Sequence, residues 1–220
     1  MTRPLLILFF ILTLSVSLFA QPCVPQNVKI NFSPSRVCPG DKITVLITKS
    51  NVYFGTGNTF NVQLSDAVGG FGSPTTIGTI NDTIPDTVFY ELPMTIPAGV
   101  GYKVRVTTTS PAHNCYLSDS SLTVYAKPNP NFTFLNDSQC YIYHNYNFTS
   151  TSTIGAGTIT KYIWNWADGS NNDTSTLTTA SHRYKFYNTF FQTELTAISN
   201  RGCKDVVKKK VNIKEMPNFD

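Results

Sequence analysis

The sequence predicts an all-β protein built from two β-sandwiches in tandem, and three observations carry that expectation. Only 14% of the 220 residues are charged, Tyr and Phe number 11 and 15, and Thr, Ser and Asn abound, which favours strands and turns over helices. Short runs of alternating apolar and polar residues recur along both halves, each bounded by turn-forming residues, and no segment past residue 20 shows capped helical spacing. The phrase K-x-x-P-N-F occurs at residues 127–132 and again at 214–219, 87 residues apart, roughly the length of one sandwich.

Taken in order, residues 1–20 read as a secretory signal. Arg3 supplies a positive start, 5–19 is an apolar run, and Ala20 offers a small residue before Gln21. A membrane anchor is the alternative, but the run is shorter than the ~20 residues that span a bilayer, so the mature chain is expected to carry no membrane span. The first sandwich is placed at 21–126, with strands at 28–32, 43–48, 59–64, 75–80, 87–92, 102–108 and 122–125. Residues 127–130 read as a linker held extended by Pro128 and Pro130. The second sandwich is placed at 131–214, with strands at 132–135, 146–150, 162–166, 175–179, 182–184, 191–198 and 206–213. Residues 215–220 would open a further repeat, which makes the chain a monomeric part of a longer tandem array. The net charge of +4 is too weak to propose nucleic acid as a partner.

The second half is organised around residues 162–169, Y-I-W-N-W-A-D-G. In an extended strand Tyr162, Trp164 and Trp166 share one face. Asp168 and Gly169 then stop the strand with a backbone-bonding carboxylate and a residue free to take positive φ. His182-Arg183-Tyr184 and an alternating strand follow. This succession resembles the polycystic-kidney-disease (PKD) repeat, an immunoglobulin-like sandwich with the pattern Y-x-W-x-F-G-D-G, then H-x-Y. Trp166 stands where that family usually has Phe, and Ala167 where it usually has Gly. In the first half F-N-V-Q-L-S-D at 60–66, Ile77-Gly78, I-P-A-G at 96–99 and G-Y-K-V-R-V at 101–106 resemble an Ig-like module. That module is common in surface proteins of gliding Gram-negative bacteria that export through the type-nine secretion system. The resemblances imply two tandem immunoglobulin-like β-sandwiches, the second PKD-type.

Five cysteines suit an oxidising compartment. Cys38 and Cys140 each precede the second strand of their half, and Cys115 and Cys203 each lie in its last hairpin. The expected bonds are therefore Cys38–Cys115 and Cys140–Cys203, worth ~4 kcal/mol each in the chain-entropy model, with Cys23 left over. A metal site is the rival, but no C-x-x-C occurs. Asp168 and His182 could form an acid–base pair; a turn-stabilising role fits better, because no nucleophile elbow accompanies them. No cofactor is expected. Calcium is the one cation that Asp168, Asn171, Asn172 and Asp173 would suit, as in some PKD repeats, although their spacing is not that of a D-x-D-x-D-G loop. Tyr141 and Tyr143, with Tyr146, Tyr187, Phe190 and Phe191, could form an aromatic binding surface, core packing being the alternative. Lys208, Lys209 and Lys210 read as protection for a sheet edge. The function expected is that of a non-enzymatic structural or adhesive segment, secreted or at the cell surface, with an extracellular protein or polysaccharide as partner. The alternative is an accessory carbohydrate- or protein-binding module of an extracellular hydrolase.

Overall fold

A computed structural model describes residues 28–135, 145–186 and 189–214, and no helix occurs among them. The first half contributes β1 (Val28–Ser33), β2 (Arg36–Val37), β3 (Lys42–Lys49), β4 (Phe60–Leu64) and β5 (Thr75–Ile80). It continues with β6 (Thr87–Glu91), β7 (Gly99–Tyr102), β8 (Val104–Thr109), β9 (Ala112–Leu117) and β10 (Leu122–Val124). Antiparallel sheet β1-β3-β6 faces sheet β5-β4-β8-β9, and a small third sheet, β2-β10-β7, closes one side through a parallel β10–β2 pair. Alternation decides which residues turn inward. Ile43, Val45 and Ile47 on β3 meet Phe60, Val62 and Leu64 on β4 and Val104 and Val106 on β8 in one buried cluster. Tyr102 is buried too, and its hydroxyl donates to the Pro97 carbonyl at 2.8 Å, a tie from a core ring to the preceding corner of the kind seen in immunoglobulin-like sandwiches.

The second half contributes β11 (Pro128–Asn129), β12 (Phe132–Phe134), β13 (Tyr146–Ser150), β14 (Thr153–Ile154) and β15 (Ile159–Asn165). After these come β16 (Asp173–Ser175), β17 (Thr179–His182), β18 (Thr189–Ser199) and β19 (Lys204–Ile213). Sheet β12-β13-β17 packs on sheet β16-β15-β18-β19, and Phe132, Phe148, Trp164, Leu195, Ala197 and Val211 lie between them, separate from the first cluster. The protein is thus all-β, two sandwiches in tandem.

Two local expectations need correction. The run 175–179 is not one strand: Ser175 ends β16, Thr179 opens β17, and the chain turns over 176–178, where the Leu177 amide donates to Ser175 Oγ at 2.9 Å and Leu177 is exposed. A Ser hydroxyl that captures a nearby amide competes with the sheet ladder, and one apolar residue among polar ones supplies no face to bury. The second concerns residues 127–130, which are not a free connection. Pro128 and Asn129 form β11, paired with Ile154 and Thr153 of β14, and Pro128 and Pro130 are buried. Proline lacks the N–H that a central strand must donate, so it is admitted only in an edge pair such as this one.

Candidate functional site

Tyr162 and Trp164 turn inward from β15, and so does Trp166 just after its end. Trp164 meets Phe132 edge-on at 5.2 Å and Phe148 at 5.7 Å, and lies parallel to Trp166 at 5.6 Å. Its indole N–H has no hydrogen-bond partner among the described residues. Trp166 differs: its Nε1 donates to Asp173 Oδ2 at 2.9 Å, and its ring stacks on His182 at 4.4 Å. The bond to Asp173 is one that a Phe at this position could not make.

β15 ends at Asn165, whose Oδ1 accepts the Ala167 amide at 3.0 Å. The turn then passes through Ala167 at φ 61° and Gly169 at φ 79°, left-handed conformations that glycine adopts without a Cβ penalty and alanine does not. Asp168 sits between them with its carboxylate out of solvent. Oδ1 accepts the Ser170 amide at 2.9 Å, while Oδ2 accepts the Lys185 amide at 3.2 Å and lies 3.0 Å from His182 Nε2. Burial raises the Asp168 pKa, but hydrogen bonds from the Ser170 hydroxyl and amide and from His182 outweigh it and bring the group down to about 2. His182 stands at the end of β17, not at a strand start.

A hydrolytic triad needs its hydroxyl on the imidazole. Here the imidazole bonds the Asp168 carboxylate, and among the described residues no hydroxyl bonds to it. The arrangement ties one turn to β17 and to the segment after it. Tyr184 completes the cluster: its buried hydroxyl bonds the Thr193 hydroxyl on β18, and burial pushes the phenol pKa up. Of the loop oxygens considered for calcium, the Asp168 and Asp173 carboxylates are thus committed to protein donors. Among the described residues no three His, Cys, Asp or Glu side chains gather where they could hold a metal ion.

The aromatic surface resolves differently. Tyr146 is buried in the core, 5.4 Å from Tyr184, and Phe191, partly buried, packs against the core by stacking on Tyr184 at 4.9 Å. Phe190 is half exposed beneath the Lys210 ammonium, 4.0 Å from the ring centre. Tyr141, Tyr143 and Tyr187 lie outside the described residues. The lysine run occupies β19, which is the edge of its sheet. Lys208 pairs with Glu194 of β18, and Lys209 donates to the Phe132 carbonyl at 2.6 Å.

The cysteines require the largest correction. Cys38 bonds Cys203, across 165 residues, in place of the two bonds expected within the halves. Cys140 and Cys23 lie outside the described residues, and Cys115 stands on β9. The turn after β2 and the β18–β19 hairpin come together where the two sandwiches meet. The Asp41 carboxylate holds that turn by accepting the Cys38 amide at 2.7 Å. Beside the disulfide, Lys127 pairs with Asp205 at 2.7 Å and the Arg201 guanidinium lies 5.3 Å from the centre of the Tyr125 ring. A cavity of about 400 Å³ opens between Val100 and Tyr125 on one side and Gly157 and Arg201 on the other. The sequence carried no signal that these residues would meet. A contact between two sandwiches leaves no period in either.

No family model and no curated protein matches the chain. Solved structures do resemble it. The PKD1 domain of Vibrio anguillarum Epp is 16% identical, covers 41% of this chain and 96% of its own, and has a TM-score of 0.34. The PKD1 domain of the Vibrio cholerae metalloprotease PrtV is 18% identical, with coverage of 41% and 98% and a TM-score of 0.33. Fibronectin(III)-like modules of Clostridium thermocellum CbhA are 16% identical over 86% of this chain and 94% of theirs, with a TM-score of 0.39. These likenesses are low, and neither ligand nor activity follows from them.

Proposed function

We propose that this chain is a non-catalytic structural or adhesive segment of an extracellular protein, its two sandwiches acting as one spacer. The observation that carries this reading is the joint, where a disulfide, an ion pair and a cation–ring contact hold the sandwiches together. The motif residues with chemical potential, Asp168 and His182, serve the fold of one turn. The disulfide suits an oxidising compartment and agrees with residues 1–20 as an export signal. Within this reading the second sandwich is a PKD-type repeat and the chain a surface component exported by a gliding bacterium. It works as a monomer within a longer array and meets an extracellular protein or polysaccharide.

Small-angle scattering of the chain from residue 21 onward tests the spacer. An elongated monomer, with a radius of gyration well above the ~17 Å of a compact globule of this size, is the expected result. A compact particle with the sandwiches side by side would overturn it and turn attention to a ligand held between them.

A further inference from the structure

The Cys38–Cys203 bond has a topological property that an ordinary disulfide within a domain lacks. Cys38 follows the second strand of the first sandwich, and Cys203 precedes the last strand of the second. Residues 28–38 lie before the bond, residues 203–214 after it, and the loop it closes holds nearly all of both cores. Val45, Phe60, Val104, Phe148, Trp164 and Leu195 are all inside that loop.

We propose that this bond is a force shunt. Tension applied along the chain enters through residues 28–38, crosses directly from Cys38 to Cys203, and leaves through β19. The covalent path bypasses residues 39–202, so pulling does not unravel either sandwich. At most β1, β2 and β19 peel away, and at ~3.5 Å per residue their flanking segments lengthen the chain by about 80 Å. Without the bond the same residues and the whole loop pay out, on the order of 500 Å or more. The ion pair and the cation–ring contact beside it align the joint but set no such limit, because each yields under load. The shunt rests on the bond alone; its use in a load-bearing surface protein rests on the spacer reading.

Single-molecule stretching of the full chain, held by handles attached at residues 28 and 214, tests the shunt. The oxidised native chain should lengthen by no more than about 80 Å at forces that extend the reduced chain by on the order of 500 Å. A C38S/C203S double variant under oxidising conditions should lengthen several-fold more than the native chain, which assigns the limit to this bond. Where that variant does not fold, the native chain with and without reductant decides. An oxidised native chain that pays out several hundred ångströms would overturn the shunt, as would peptide mapping that links Cys38 to another cysteine. A compact particle in scattering with the limit intact would overturn the spacer and leave the shunt standing.

Discussion

At the scale of single residues, the turn after β15 holds the sharpest contrast. Ala167 adopts φ 61° where the resembling repeats usually carry glycine, and a Cβ in that conformation costs roughly 1–2 kcal/mol. Glycine relieves the clash but gives the unfolded chain more freedom, which returns part of the gain. Ala167→Gly is therefore expected to stabilise the second sandwich by up to ~1 kcal/mol, read as a higher midpoint in chemical denaturation. An unchanged or lower midpoint would show that the turn accommodates alanine without strain. One position further on, Asp168 links stability to pH. Its folded pKa of about 2 lies below the unfolded value of 3.8, so its contribution is fully present above about pH 4 and is lost as pH falls through 2. From those two values the contribution is on the order of 2 kcal/mol. Asp168→Asn should lower the melting temperature at neutral pH and flatten its fall between pH 4 and 2. A variant that keeps the native slope in that window would assign the acid sensitivity to other groups.

At the scale of elements, β15 is the strand on which the second core depends. Trp164 is wholly buried between Phe132, Phe148 and Trp166. Its truncation to alanine opens a large cavity and should cost ~3–5 kcal/mol, unfolding the second sandwich while the first survives. Two separated transitions in calorimetry would report this; a single unshifted one would mean that the sheets close around the gap. Long strands such as β3, β18 and β19 were legible in the sequence because five or more alternating residues define a face. β2, β11 and β14 were not, since two residues define no period, and proline at 128 argued against the pairing it in fact makes. The turn at Asp168 was legible from its residue types. Its consequence, a carboxylate that also reaches His182 and the Lys185 amide, was not, because those partners lie 14 and 17 residues further on and meet it only in the folded sandwich.

At the scale of the whole molecule, the joint was the least legible feature and the one that most changes how the chain is understood. Each sandwich encloses its own hydrophobic cluster, yet each contributes only one half of the Cys38–Cys203 bond. Gene duplication or shuffling that moved a single sandwich into another protein would carry a thiol parted from its mate, open to oxidation or to pairing with a stranger. The heritable unit is therefore the pair. An array that grew by copying this segment intact would grow two sandwiches at a time, and in its relatives a replacement at position 38 should be accompanied by one at position 203.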